Sequence, residues 1–183
     1  MKEGRSKSLR FSLRTSAIVL HTFVVKTNAA RQLDRLGIKY ELRDYEVDPE
    51  HLEAERVADK IGLPYRKVFK TLLIRGDVNG LCFAVIPANT EVNFKAMAQA
   101  SGDRKMHMVP LKEVQPLTGY IRGGVTALAC KKPYPVYIDS GAEEQDVISV
   151  SAGVRGTQIL LAPQDYIRAV DATAAEIAQP RTD

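Results

Sequence analysis

The 183-residue chain sets 26 Lys+Arg against 22 Asp+Glu, a net charge of +4, and 45% of its residues are hydrophobic. It is long enough for one domain with a substantial core, and neither the composition of a disordered chain nor the charge density of a DNA coat is present, although a polyanionic partner such as RNA stays compatible. No apolar run reaches the roughly 20 residues that a membrane-spanning helix needs, and Cys82 and Cys130 lack CxxC spacing, which fits a reducing cytoplasm better than a disulfide framework.

Residues 1–26 are rich in Arg, Lys and Ser as far as Ser16 and then apolar through Ala17, Ile18, Val19 and Leu20. His21, Thr22 and Lys26 break that run and no clear small-x-small cleavage site follows, so an extension is expected rather than a signal peptide. The regular pattern, expected to form one domain over residues 27–175 with a tail at 176–183, opens at Thr27. This residue is placed to cap a helix carrying Ala30, Leu33 and Leu36 and stopped by Gly37. Residues 38–45 alternate, with Ile38, Tyr40 and Leu42 on one face, as a strand does; a helix is expected from Pro49 to Ile61, ended by Gly62.

VFKTLLI (68–74) and LCFAVI (81–86) are apolar runs of strand length joined by RGDVNG, the pattern of a hairpin. Asn93 heads a helix through Ala100, MHMVP is extended, LKEVQP is a helical turn, and Gly119–Gly124 is a loop. Strands follow at 135–139, 147–150 and 157–161, with a helix from Pro163 carrying Asp165 in its first turn. These elements lack a strict βαβ rhythm, so the fold class expected is α/β of the mixed, α+β type, with a mixed sheet.

His21, His51 and His107 lack paired ligand spacing, so no metal is expected, and there is neither a GxxxxGK[ST] phosphate loop nor a GxSxG elbow. Cys82 sits in an apolar strand, where core packing is the ordinary role. Three features remain. Lys70 interrupts an otherwise buried strand; its side chain lies either on a solvent face or in a pocket, where it would meet a phosphate or hydroxyl. In TGYIRGGVTALACKK, Gly119, Gly123 and Gly124 make either an ordinary tight turn or a backbone cradle for a developing oxyanion, with Thr126 offering a hydroxyl. SAGVRG (151–156) is a second small-residue loop.

Taken together, FKTLL, TGYIRGG, SAGVRG and LAPQDY occur in the order seen in the YbaK family, and the resemblance runs over roughly residues 28–175. It implies a barrel-like mixed sheet flanked by helices, shared with the editing insertion domain of bacterial prolyl-tRNA synthetase. The activity it implies is trans-editing: removal of cysteine from mischarged Cys-tRNA(Pro), with Cys-tRNA(Cys) and Ala-tRNA(Pro) as alternative substrates. It assigns Lys70, Gly123 and Gly124 to catalysis, and Tyr45, Thr126, Ser151 and Arg155 to substrate binding. No cofactor is implied, because the substrate thiol attacks its own ester. The implied partners are the aminoacyl end of tRNA and prolyl-tRNA synthetase, with no DNA and no membrane. One departure is Ala127, where the family carries proline, which leaves the amino-acid specificity open. A non-catalytic module binding RNA or a synthetase is the competing reading.

Overall fold

The computed structural model describes residues 26–181, so the readings made for residues 1–25 lie outside the described residues. Helix α1 (Asn28–Arg35) starts where Thr27 Oγ1 accepts from the Ala30 amide at 3.2 Å. At its far end Gly37, with φ +65°, lets its own amide reach Asp34 O while Ile38 N reaches Leu33 O, which satisfies carbonyls the helix leaves bare. Ile38 is buried, and Tyr40 and Leu42 pack toward the same core, ahead of and within β1 (Glu41–Asp44).

The second helix is shorter than its sequence pattern suggests: α2 spans Ala54–Ile61. Asp48 accepts the Glu50 amide at 3.1 Å and lies 3.0 Å from His51 Nδ1, and this side-chain-to-backbone turn replaces the helical start expected at Pro49. The hairpin forms as expected, from β2 (Phe69–Gly76) and β3 (Leu81–Pro87), with Phe69 opposite Pro87 and Arg75 opposite Leu81.

Next come β4 (Thr90–Val92), α3 (Phe94–Ser101, capped by Asn93), β5 (Met106–Met108) and α4 (Leu111–Thr118). Helix α4 outlasts the expected single turn, running through Pro116 to a left-handed cap at Gly119. After the glycine loop come β6 (Val136–Asp139), β7 (Ile148–Ser151), β8 (Thr157–Leu161) and α5 (Pro163–Val170). Two strands without a sequence signal follow, β9 (Ala172–Ala175) and β10 (Ala178–Pro180).

The strands make a five-stranded mixed sheet in the order β5-β2-β3-β6-β9, a three-stranded sheet β1-β8-β7 and a β10-β4 ribbon. The mixed sheet flanked by helices is as expected; its curl stops short of a closed barrel among the described residues. Among the described residues one isolated parallel bridge, Val68 to Ser149, joins the two larger sheets, whose facing sides pack together in the main core.

Alternation along β2 decides the rest. Phe69 and Leu73 face the main core with Phe83, Val85, Ile148, Val150, Ile159 and Tyr166. Leu72 and Ile74 face the other way, toward Cys82, Ala84, Ile86, Met97 and Ile177. Each fully buried side chain of this size contributes about 1.5–3 kcal/mol. Lys70 falls on that second face, opposite Ile86.

Candidate active site

β5 pairs with β2 only over Ile74–Gly76, and the bridge to β7 falls on Val68, one residue before β2, so among the described residues no strand pairs with the edge of β2 between them. A cavity of about 990 Å³ opens there, walled by β2, the start of α2, β4, β10 and the two glycine loops. Phe94, Met108 and Leu111 form an exposed apolar rim, while Lys70, Arg122, Gln158 and Arg181 supply polar groups. The volume is within the usual range for a pocket that encloses a small ligand.

Lys70 is half-buried, its aliphatic stem packed on the sheet and its ammonium at the cavity wall. Nζ donates to Ala88 O at 2.8 Å and Thr90 O at 2.5 Å, both in or beside the turn between β3 and β4. Burial, and secondarily the Arg181 guanidinium, hold its pKa below the ordinary lysine value, against the opposing pull of Glu55 and Glu91. An ammonium held at a rigid strand with a third N–H to offer suits a phosphate or hydroxyl of a ligand. Of the two positions its sequence context allowed, the pocket is the one observed.

The glycine pair divides. Gly123 lines the cavity with φ +85°, a conformation that L side chains rarely adopt. Gly124 is behind it, its amide already donating to Ile121 O at 2.9 Å, and a Cβ there would come 3.3 Å from the Val154 carbonyl carbon. Gly124 therefore lets the two loops meet, whereas Gly123 fronts the ligand space. Arg155 fastens the same junction: its Nε donates to Arg122 O at 2.8 Å and its side chain lies over Gly123.

The other expected residues are spread around this centre. Ser151 is in the cavity wall, its Oγ accepting from the Gly153 amide at 3.2 Å. Tyr45 lies outside the main cavity, in a small adjoining pocket that shares Leu52, Val57 and Gly123 with it. Thr126 is fully buried and does not line the cavity; its Oγ1 accepts from the Leu128 amide at 3.3 Å and so shapes the turn beneath. At that turn Ala127 packs against the core, and Ala129 takes a left-handed φ of +49° while its amide donates to Gln32 Oε1. The turn forms here without the family's proline.

Sequence reasoning missed Gln158 and Arg181. Gln158 interrupts TQILL as Lys70 interrupts FKTLL, so the same signal was there to read; it is buried in the cavity wall and accepts from Ser149 Oγ at 3.1 Å. Among the described residues lining the cavity there is no histidine and no cysteine, so neither a Cys–His nor a Ser–His pair can be assembled from that wall.

The family model described as "Aminoacyl-tRNA editing domain" matches residues 48–169. EbsC of Enterococcus faecalis, named as a candidate Cys-tRNA(Pro)/Cys-tRNA(Cys) deacylase, is 40% identical over 152 residues, 83% of this chain and 93% of its own. A proline–tRNA ligase of Thermosipho africanus is 32% identical over 60 residues, 33% of this chain but 10% of the ligase. A crystal structure described as a candidate trans-editing enzyme for prolyl-tRNA synthetase has the same fold, with a TM-score of 0.70 at 19% identity, covering 82% of this chain and 97% of that one. No helix among the described residues is long and apolar enough to cross a membrane. With 40% identity along nearly the whole of one relative and a family match over most of the folded region, the chain belongs to the aminoacyl-tRNA editing domain family, the YbaK family whose motifs it carries.

Proposed function

We propose that this aminoacyl-tRNA deacylase removes cysteine from Cys-tRNA(Pro) in the cytoplasm, with the cavity beside β2 holding the 3′-terminal aminoacyl-adenosine. The observation that carries this reading is a half-buried ammonium, Lys70, held at the wall of a 990 Å³ cavity beside the left-handed backbone of Gly123. The ammonium binds a phosphate or hydroxyl of the terminal nucleotide. The apolar rim of Phe94, Met108 and Leu111 takes the face of an unpaired base, as single-stranded nucleotides are commonly held. The name of the 40%-identical relative supports the choice of cysteine and of tRNA(Pro).

The cavity wall supplies position and polarisation, and the substrate supplies the nucleophile. The cysteine sulfur attacks its own ester carbonyl, a carbon–sulfur bond forms and the carbon–oxygen bond to ribose breaks. The thiol proton ends on the departing ribose oxygen, and the amino acid leaves as a thiolactone that water later opens. The Gly123 backbone, left-handed in the cavity wall, serves the carbonyl oxygen as charge builds on it, and Ser151 and Gln158 close the wall around the side chain. Selection of the tRNA body falls to prolyl-tRNA synthetase as partner.

The test is release of amino acid from Cys-tRNA(Pro), Ala-tRNA(Pro) and Pro-tRNA(Pro) by the purified protein. Cleavage of the cysteine ester alone is expected. Equal cleavage of the alanine ester would refute self-attack by the thiol, and binding without turnover on any substrate would favour a non-catalytic RNA-binding module.

A further inference from the structure

The segment after α5 falls outside the stretch matched by the family model, yet it forms one wall of the cavity. It is firmly built. Asp139 Oδ2 accepts from the Ile177 and Ala178 amides at 3.1 and 2.9 Å, Ile177 is fully buried, and Ala178–Pro180 pair with Val92–Thr90 of β4. That anchoring delivers Gln179 and Arg181 to the cavity. Gln179 Nε2 donates to Glu91 Oε1 at 2.7 Å, and Arg181 Nη1 meets Glu55 Oε1 at 2.7 Å, which ties the residue after β10 to α2.

Two features of this contact point beyond a structural clasp. Arg181 shares the cavity with Lys70 and repels its charge, while Glu55 and Glu91 attract it, and an anion bound between the two cations would be held by both. Glu55 meets the guanidinium through one oxygen only, while its Oε2 is buried with no hydrogen-bond partner. A two-pronged fork would lock the pair; this single contact leaves guanidinium donors for a second acceptor. Glu55 thus holds one side of a guanidinium that also belongs to the cavity wall.

Building on the deacylase reading, we propose that Arg181 is a substrate-binding residue that holds, together with Lys70, a backbone phosphate of the 3′-terminal nucleotide, and that the phosphate replaces Glu55 as its partner. Glu55 is then a placeholder that keeps the guanidinium aimed at the cavity until substrate arrives.

The proposal gives two substitutions on one ion pair opposite signs. With the full chain and Cys-tRNA(Pro), Arg181→Gln is expected to raise KM about tenfold with kcat changed less than about twofold, the scale of one charge-assisted contact. It should also flatten the slope of log KM against log salt by about 0.7, the loss of one contact to a single strand. Arg181→Lys should recover part of the KM. Glu55→Gln should lower KM, because it frees the guanidinium. If Arg181→Gln leaves KM and the salt slope unchanged, or if Glu55→Gln raises KM as much as Arg181→Gln does while both lower the melting temperature, the pair is a clasp and the proposal falls. Affinity for an uncharged RNA hairpin ending in CCA, read by fluorescence anisotropy, separates this from failure of the parent reading. Wild-type protein without turnover would sink the deacylase reading, and the ratio of wild-type to Arg181→Gln affinity would still decide for or against Arg181.

Discussion

Replacing Lys70 by methionine should abolish activity while leaving the fold nearly as stable as before. The side chain makes two hydrogen bonds, to Ala88 O at 2.8 Å and Thr90 O at 2.5 Å, and bonds of this charged kind contribute about 1.5–3 kcal/mol each when taken alone. Against them stands the lowered pKa: burial and Arg181 together make the folded protein a poorer host for this charge than water is. Methionine keeps the packed stem and removes the charge, and water in the open cavity can serve the two carbonyls. The opposing effects leave a net change within about 1 kcal/mol, or about 2–4 °C in melting temperature for a chain of this size.

The sign of the pH dependence follows from the same shift. Between the lowered folded pKa and the ordinary lysine value the unfolded chain holds the proton that the folded one has lost, so wild-type stability rises with pH across that window. Lys70→Met lacks that rise. Thermal melts of both proteins from neutral pH to about 10.5, paired with deacylation rates at neutral pH, make the assay. Activity should fall at least about a hundredfold, equivalent to about 2.7 kcal/mol of transition-state stabilisation. A variant that melts more than about 10 °C lower and keeps its rate per folded molecule would refute the reasoning, because the lysine would then be holding the turn and not the substrate.

Three further outcomes are expected. Gly123→Ala should lower the melting temperature by about 2–8 °C, since a left-handed alanine costs about 1–2 kcal/mol, and it should slow turnover because the strained residue fronts the cavity. Thr126→Val removes the acceptor for the Leu128 amide at a fully buried site, so chemical denaturation should show a loss of about 1–2 kcal/mol with kcat/KM of the folded enzyme within about twofold. A large fall in kcat/KM at full folding would return Thr126 to the substrate site. Burial pushes the Cys82 thiol up to about 12, so in the native protein at pH 7.5 alkylation followed by mass spectrometry should modify Cys130 well before Cys82; rapid labelling of Cys82 would mean that the second face of the sheet is open to solvent.

What the sequence revealed and what it concealed have separable causes. The hairpin and the cap of α1 rest on neighbours in the chain, the GDVNG turn and Thr27, and were legible for that reason. Lys70 was legible as an oddity, a cation among Phe69, Leu72 and Leu73, but only the sheet decides which face it takes. The late start of α2 turns on one carboxylate, Asp48, choosing a turn over a helix, and periodicity is blind to that choice. Strands β9 (ATAA) and β10 (AQP) are made of residues with weak intrinsic strand preference, and pairing with β6 and β4 makes them strands. Arg181 joined the site for a similar reason: it meets Glu55 from the far end of the chain, and nothing local announces the meeting. Thr126 was read from its motif and the motif is real, but the hydroxyl points into the turn that supports the cavity.

The mixed character of the five-stranded sheet also sets an order of events during folding. β2 and β3 are joined by a short turn and can zip early, whereas the parallel partners of β3 and β6 arrive only after long stretches of intervening chain, Val136 on Phe83 and Ala172 on Val136. Closing those large loops is the slow step, and the strand bearing Lys70 is in place before the walls it will face. In a pulsed hydrogen-exchange experiment during refolding, amides of the hairpin should gain protection ahead of those in β6 and β9, so the enzyme passes through a stage that has its central ribbon but no cavity.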